Sequence, residues 1–248
     1  MPINTSEGVN VVWVIIDRAD KANAFDREHL AEFTSKLREA CDSSKPAVAI
    51  IGAGERYFSA GIDLKAVASL KGLEDSFNLF VDHMGSAIEA IVRCRKPVIA
   101  AVNGYAVGLG FEIVQASDLA YAVENAKLGS PALRWGMIPP ATPFILYNKI
   151  AAELTFTGRL LTAEEAFKLG LINGVVNGID SLKERVEEVA GMIGGMEEWA
   201  VAEVKQALAM QRLQVLYTGL KEIALAAGRR SVTERINKYF LEKKKKTS

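Results

Sequence analysis

The 248 residues include only two histidines and two cysteines, and that scarcity excludes much catalytic chemistry. His29 and His83 fall in stretches that read as charged helices, so a Ser-His-Asp triad would have to recruit one of them. Ser59, the one candidate nucleophile, does not sit in a Gly-x-Ser-x-Gly elbow. Cys41 and Cys94 lie far apart in sequence, show no metal-ligand spacing, and read as buried or idle thiols of a reducing compartment. No acidic or His/Cys cluster suggests a metal, and none is expected. Thirty basic residues cancel thirty acidic ones, so no overall field points to nucleic acid. No apolar run approaches the roughly 20 residues of a membrane span. Met1 to Thr5 lacks the basic-then-apolar pattern of a signal peptide. The expectation is a cytoplasmic protein with no membrane partner.

What the chain does contain is apolar residues, half of the total, enough to bury a large core. They come in alternating short β-branched runs and amphipathic stretches. Val11 to Ile16 reads as a strand buried on both faces. Asp26 is placed to cap a helix running to Ala40, with Leu30, Phe33 and Leu37 on one face. Ala47 to Ile51 is the next strand. Leu73 to Arg93 reads as one helix with Phe77, Phe80, Met84, Ile88 and Ile91 on its apolar side, closed by Lys96-Pro97. Strands follow at Val98 to Val102 and Leu119 to Val123. Thr162-Ala163-Glu164-Glu165 is a capping box for a helix that stops at Gly170, and Leu171 to Val176 returns as a short strand. Beyond Leu182 the sequence is helical almost to the end, with Gly194-Gly195 as the hinge to a C-terminal tail and Lys243 to Lys246 as a frayed terminus. The alternation argues for an α/β fold with right-handed crossovers.

Two strands end in glycine turns that lead into helices. The first is Phe58-Ser59-Ala60-Gly61-Ile62-Asp63-Leu64. The second is Asn103-Gly104-Tyr105-Ala106-Val107-Gly108-Leu109-Gly110-Phe111-Glu112. Glycine lets each backbone turn sharply and approach a ligand, and the first N–H groups of a helix have no intrahelical partner. If the turns adjoin, the amides of Ile62 and Leu109 can converge on one oxygen. In a water-poor site one such donor contributes roughly 3–4 kcal/mol to a charged transition state. Glu112 lies one helical turn beyond Leu109 and supplies an acid/base beside that point. The Gly-x-Gly around Leu109 lacks the third glycine and the acidic residue of a dinucleotide fingerprint. Asp63 and Asp118 read as turn and cap residues, and Arg134 as a residue that either faces the pocket beside Ala132 or, the favoured reading, pairs on the surface.

These motifs, together with Lys96-Pro97-Val98-Ile99-Ala100-Ala101-Val102-Asn103-Gly104 and Thr157-Gly158-Arg159-Leu160-Leu161-Thr162-Ala163-Glu164-Glu165-Ala166 followed by Gly170-Leu171-Ile172, resemble the crotonase (enoyl-CoA hydratase/isomerase) superfamily, in order and over nearly the whole chain. The resemblance implies a crotonase-like spiral of ββα repeats over residues 1–193 and a helical trimerisation tail over residues 194–248, assembled as a homotrimer or a dimer of trimers. It implies an acyl-CoA thioester as substrate, with coenzyme A part of that substrate and no separate cofactor. The thioester oxygen would sit on the amides of Ile62 and Leu109. Leucine stands at residue 109 where the family often has glycine, so φ there should be negative. Lys21, Ala22, Ala24, Ala60 and Leu64 fall where the family lines the CoA groove. Phe240 and Lys243 fall where a tail meets adenine and phosphate, and Trp135 and Met137 near the acyl pocket.

The pattern breaks at two places. Glu112 matches the first of the two glutamates with which a family hydratase handles water, but Ala132 occupies the place of the second. In Ile138-Pro139-Pro140-Ala141-Thr142-Pro143, which aligns with a glycine-rich turn, Pro140 has no N–H to offer. Removing one acid/base group reduces rates by roughly 10²–10⁴-fold. Isomerase, decarboxylase or hydrolase-like chemistry, with Glu112 as the single acid/base, therefore stands beside hydration. A catalytically weak acyl-CoA binder or scaffold is the alternative reading. RNA binding through Lys243 to Lys246 is a third, weaker one, since four adjacent lysines are ordinarily a solvated terminus.

Overall fold

The computed structural model describes residues 3–140 and 148–247. Residues 141–147, which include the Ala141-Thr142-Pro143 end of the proline-rich turn, lie outside the described residues. Strands β1 (Ile3–Glu7), β2 (Val11–Ile16), β3 (Ala47–Gly52), β5 (Val98–Val102), β7 (Leu119–Val123) and β10 (Gly174–Val176) form one sheet in that spatial order. All its pairings are parallel except β1 with β2. Strands β4 (Tyr57–Ser59), β6 (Tyr105–Val107), β8 (Lys127–Gly129) and β9 (Leu161–Thr162) form a second, smaller sheet. Each turn of the chain lays one strand in the large sheet, the next in the small one, and then runs through helix or turn to the following pair: β3 with β4, β5 with β6, β7 with β8. This is the expected ββα spiral.

The β-branched runs form the interior because both faces of a parallel sheet are covered. All six residues of β3 and all five of β5 are buried. Helix α1 (Arg27–Cys41) starts at Asp26, whose side chain accepts from the His29 amide, and buries Leu30, Phe33 and Leu37 as its spacing predicts. The capping box at Thr162 is complete, with its hydroxyl accepting from the Glu165 amide at 3.1 Å and the Glu165 carboxylate accepting from the Thr162 amide at 2.7 Å. It starts helix Ala163–Lys168, and Gly170 takes a φ of 70° two residues after it ends.

Three expectations are corrected. The helix read over Leu73 to Arg93 is composite: α segments Leu73–Phe77 and Gly85–Arg93 flank a π segment, Asn78–Met84. A 3.6-residue period does not register such an insertion, although π turns favour functional sites, and this one carries Phe80 and Met84 toward the cavity described below. Cys41 and Cys94 are not idle thiols. They form a disulfide, because Arg27–Cys41 and Gly85–Arg93 pack side by side and bring the ends of both helices together, with Cα atoms 5.7 Å apart. The 53-residue separation conceals this in the sequence. The lysine terminus is not frayed: helix Arg230–Thr247 runs through it, anchored by buried Val232 and Ile236, and lysine is itself a good helix former.

Asp118 does more than close a turn. It accepts from the Val98 amide at 2.8 Å, pairs with Lys205, and meets Arg212 at 2.9 Å. Both cations lie on helix Glu198–Ala227, so this ion cluster fastens the long helix to the starts of β5 and β7, inside the sheet. Burial pushes the Lys205 ammonium below its usual pKa, and Asp118 opposes the shift. No helix among the described residues is long and apolar enough to cross a membrane.

Candidate active site

The two glycine turns touch. Gly61 has φ 87°, and a Cβ placed on it would lie 2.7 Å from the Leu109 amide nitrogen and 2.7 Å from the Val107 carbonyl. Gly108 turns the chain with φ 57° into helix Leu109–Ala116. A Cβ on Gly110 would come within 2.4 Å of the Ser59 carbonyl. Only glycine allows this approach of backbone to backbone. Leu109 is not among the residues with positive φ, so leucine fits the turn as expected.

Among the described residues, no hydrogen bond from the amide of Ile62 or Leu109 is formed. Leu109 opens its helix, where the N–H has no partner four residues back. The Gly61–Ile62 peptide is held from the other side, since the Gly61 carbonyl accepts from the Phe25 amide at 2.8 Å. The Asp63 amide bonds the Phe25 carbonyl at 2.7 Å. Asp63 then caps the short helix Leu64–Ala68, as its sequence context indicates.

A cavity of about 110 Å³ opens where the turns meet. Its lining includes Ala60, Ile62, Leu64, Leu109 and Glu112, with Ala132, Trp135, Met137 and Pro140 across from them. Among the described lining residues Glu112 is the only charged one. It is 1 % exposed, in the first turn of a helix whose eight residues are all buried. The helix dipole favours a carboxylate there. Other hollows exist: one of about 250 Å³ beside Gln115 and Asn173, and a groove of about 1110 Å³ near Cys41 and Trp199. Neither is framed by the two glycine turns.

Eight of the sequence-selected residues besides Glu112 and the turn glycines thus line one cavity; the remaining candidates lie elsewhere. Lys21 is exposed and pairs with Asp20 at 3.6 Å. Ala22 adopts left-handed φ 55° and accepts from the Ala60 amide at 2.9 Å. The Ala24 carbonyl accepts from Arg18 at 2.9 Å. Phe240 packs on the core, and its neighbour Tyr239 stacks edge-on against Trp135 at 5.0 Å; Lys243 is exposed. Arg134 is exposed, and the His29 ring contacts Asp26 at 2.5 Å beside the helix cap. Sequence reasoning missed Phe80, Met84 and Ile223, which complete the apolar wall. No local signal marks Ile223, because it reaches the cavity from the long C-terminal helix. It also missed Asn23, whose fully buried side chain bonds the Arg18 amide and the carbonyls of Ala53 and Tyr57. A left-handed non-glycine pair at Ala22 and Asn23 is the trace of that constraint.

A ββα spiral with an apolar cavity at two apposed glycine turns and one buried carboxylate is the architecture of a crotonase-type enzyme. A family model for enoyl-CoA hydratase/isomerase matches residues 6–246. Carnitinyl-CoA dehydratase of Proteus mirabilis (strain HI4320) is 32 % identical over 237 residues, 93 % of this chain and 85 % of that one. Its counterpart in Escherichia coli (strain K12) is 36 % identical over 203 residues, 79 % and 76 % of the two chains. An enoyl-CoA hydratase/isomerase structure from Xanthobacter autotrophicus Py2 superposes with TM-score 0.87 at 28 % identity, covering 96 % of this chain and 92 % of that one. The chain belongs to the enoyl-CoA hydratase/isomerase family, whose members act on acyl-CoA thioesters.

Proposed function

We propose that the protein moves a proton on an enoyl-CoA, shifting a double bond from C3–C4 to C2–C3. The thioester carbonyl lies between the amides of Ile62 and Leu109. Glu112 takes a proton from C2 as its carboxylate, the electrons pass to the carbonyl oxygen, and the two N–H groups bear the charge. The carboxylic acid then returns the proton to C4 and the carboxylate is restored. One group performs both transfers, so no second carboxylate is needed. The observation that carries the reading is the presence of Glu112, as the single charged side chain among the described lining residues, in the cavity where the Gly61 and Leu109 turns touch. Ala132 and Pro140 line the same cavity; the Ala132 side chain has no proton to transfer and Pro140 has no N–H, which favours proton transfer over addition of water. The test is a 3-enoyl-CoA incubated with wild type and Glu112→Gln, with the conjugated product followed by absorbance. Turnover by wild type that drops about 10²–10⁴-fold in the variant supports the reading; equal turnover by both proteins removes Glu112 from the mechanism.

Identity of 32 % and 36 % to carnitinyl-CoA dehydratases favours a second reading, elimination of water from a 3-hydroxyacyl-CoA. Glu112 would take the C2 proton and deliver it to the departing C3 hydroxyl, releasing water. Carnitinyl-CoA offered in parallel separates the two readings by which substrate is consumed.

The same proposal takes residues 1–193 as the catalytic core and residues 194–248 as the region that joins subunits. Support comes from exposed apolar residues on the helix Glu198–Ala227, among them Trp199, Val204 and Met210. Exposed apolar side chains of this kind fit burial against a second copy. Light scattering giving a mass of three or six chains supports it, and a monomer at micromolar concentration contradicts it.

A further inference from the structure

We propose that Ser59 is a positioning residue for the oxyanion hole: its hydroxyl fixes the turn that aims the Ile62 amide. The inference rests on the proposal that Ile62 and Leu109 hold the thioester oxygen. Ser59 is fully buried at the end of β4. Its hydroxyl donates to the Asn23 carbonyl at 2.8 Å and accepts from the Gly61 amide at 3.0 Å. The peptide before Gly61 is therefore held by Ser59. The peptide after it is held at its carbonyl by the Phe25 amide, at 2.8 Å. No cis bond occurs among the described residues, and in a trans peptide C=O and N–H point in opposite directions. Anchoring the Gly61 carbonyl on Phe25 thus turns the Ile62 N–H to the opposite side.

Gly61 has no side chain to restrict its own dihedrals, so these two hydrogen bonds set them. Phe25 contributes through its backbone N–H, which among substitutions only proline removes. Ser59 contributes through a side chain. The same residue also meets the other half of the hole, because its carbonyl is seated against Gly110, one residue beyond Leu109. Asn23 is an unyielding anchor for the hydroxyl, held by its own three side-chain bonds. Without the hydroxyl the Gly61 N–H is left buried and unpaired, and the turn gains freedom to seek another acceptor.

The test is isotope-edited infrared spectroscopy of [1-¹³C]butyryl-CoA bound to the full-length protein, together with exchange of its C2 protons in D₂O. Wild type is expected to shift the carbonyl stretch to lower frequency. Ser59→Ala and the near-isosteric Ser59→Cys are expected to shift it by less than half as much. Their exchange kcat should fall by about tenfold, a fraction of the 10²–10³ lost when a donor is removed outright, with KM within about threefold of wild type. A role in stability alone leaves the carbonyl frequency of the folded variant unchanged. A full wild-type shift in folded Ser59→Cys overturns the proposal while the oxyanion hole stands. No shift in wild type itself overturns the hole, and this inference with it.

Discussion

Gly61 and Leu109 are 48 residues apart in sequence, and a single methyl group on the first would stand 2.7 Å from the amide nitrogen of the second. That contact makes two separate turns into one structure, and Gly61→Ala breaks it. Alanine must both adopt a φ of 87° and displace the opposing backbone. Acyl-CoA turnover should fall by about 10²–10³-fold, the loss expected when a hole donor is removed. Measured kcat/KM within threefold of wild type would show that the turns do not serve catalysis.

Ala132 lines the cavity that holds Glu112, and its side chain is partly exposed. Ala132→Glu should therefore present a second carboxylate to the same space. Hydration of crotonyl-CoA, read as loss of enoyl absorbance, should rise by at least about tenfold, since an acid/base group contributes roughly 10²–10⁴-fold when well placed. Unchanged hydration would mean that residue 132 does not face the reacting carbons.

The Asp118 cluster makes a prediction about stability. Asp118→Asn leaves the Lys205 ammonium, 3 % exposed, without its carboxylate partner and should destabilise the fold by about 3–5 kcal/mol in urea. The pH dependence follows from the depressed folded-state pKa of Lys205. Between that value and the unfolded 10.5 the unfolded chain binds more protons at this site, so its contribution to stability rises with pH. The penalty is complete below the folded pKa and relieved as pH increases through it. Lys205→Met should abolish this alkaline gain relative to wild type. Parallel pH profiles for the two proteins would contradict the assignment.

Much of the fold and site is legible in the sequence, and what is not has a common cause. The runs at Val11, Ala47, Val98 and Leu119, the Asp26 cap and the Thr162 box are local signals, and each forms as read; of the Leu171 to Val176 run only Gly174–Val176 is strand. The glycine turns were visible individually, but their contact depends on β4 and β6 lying side by side in the small sheet. The π segment escaped because periodicity is an average over the helix. Asn23, Ile223 and the Asp118–Lys205 pair escaped because each acts on residues remote in sequence. The Cys41–Cys94 disulfide is the plainest case: two unremarkable cysteines meet only once their helices are packed.

That disulfide closes a loop spanning a 53-residue separation. Constraining the unfolded chain over such a loop is worth about 4 kcal/mol in the entropic picture. The Cys41→Ser/Cys94→Ser double variant should unfold at lower urea by a corresponding amount, and thiol titration of denatured wild type should find no free cysteine. Two titratable thiols per chain in wild type would contradict the pairing.

The most direct measurement is wash-in of deuterium at C2 of a saturated acyl-CoA in D₂O, followed by mass spectrometry, for wild type and Glu112→Gln. It requires only that the thioester bind and that one base remove one proton, whatever the final product. Exchange by wild type that disappears in Glu112→Gln, with acyl-CoA affinity retained, is the predicted result. Exchange at equal rates in both proteins would contradict the role given to the buried carboxylate.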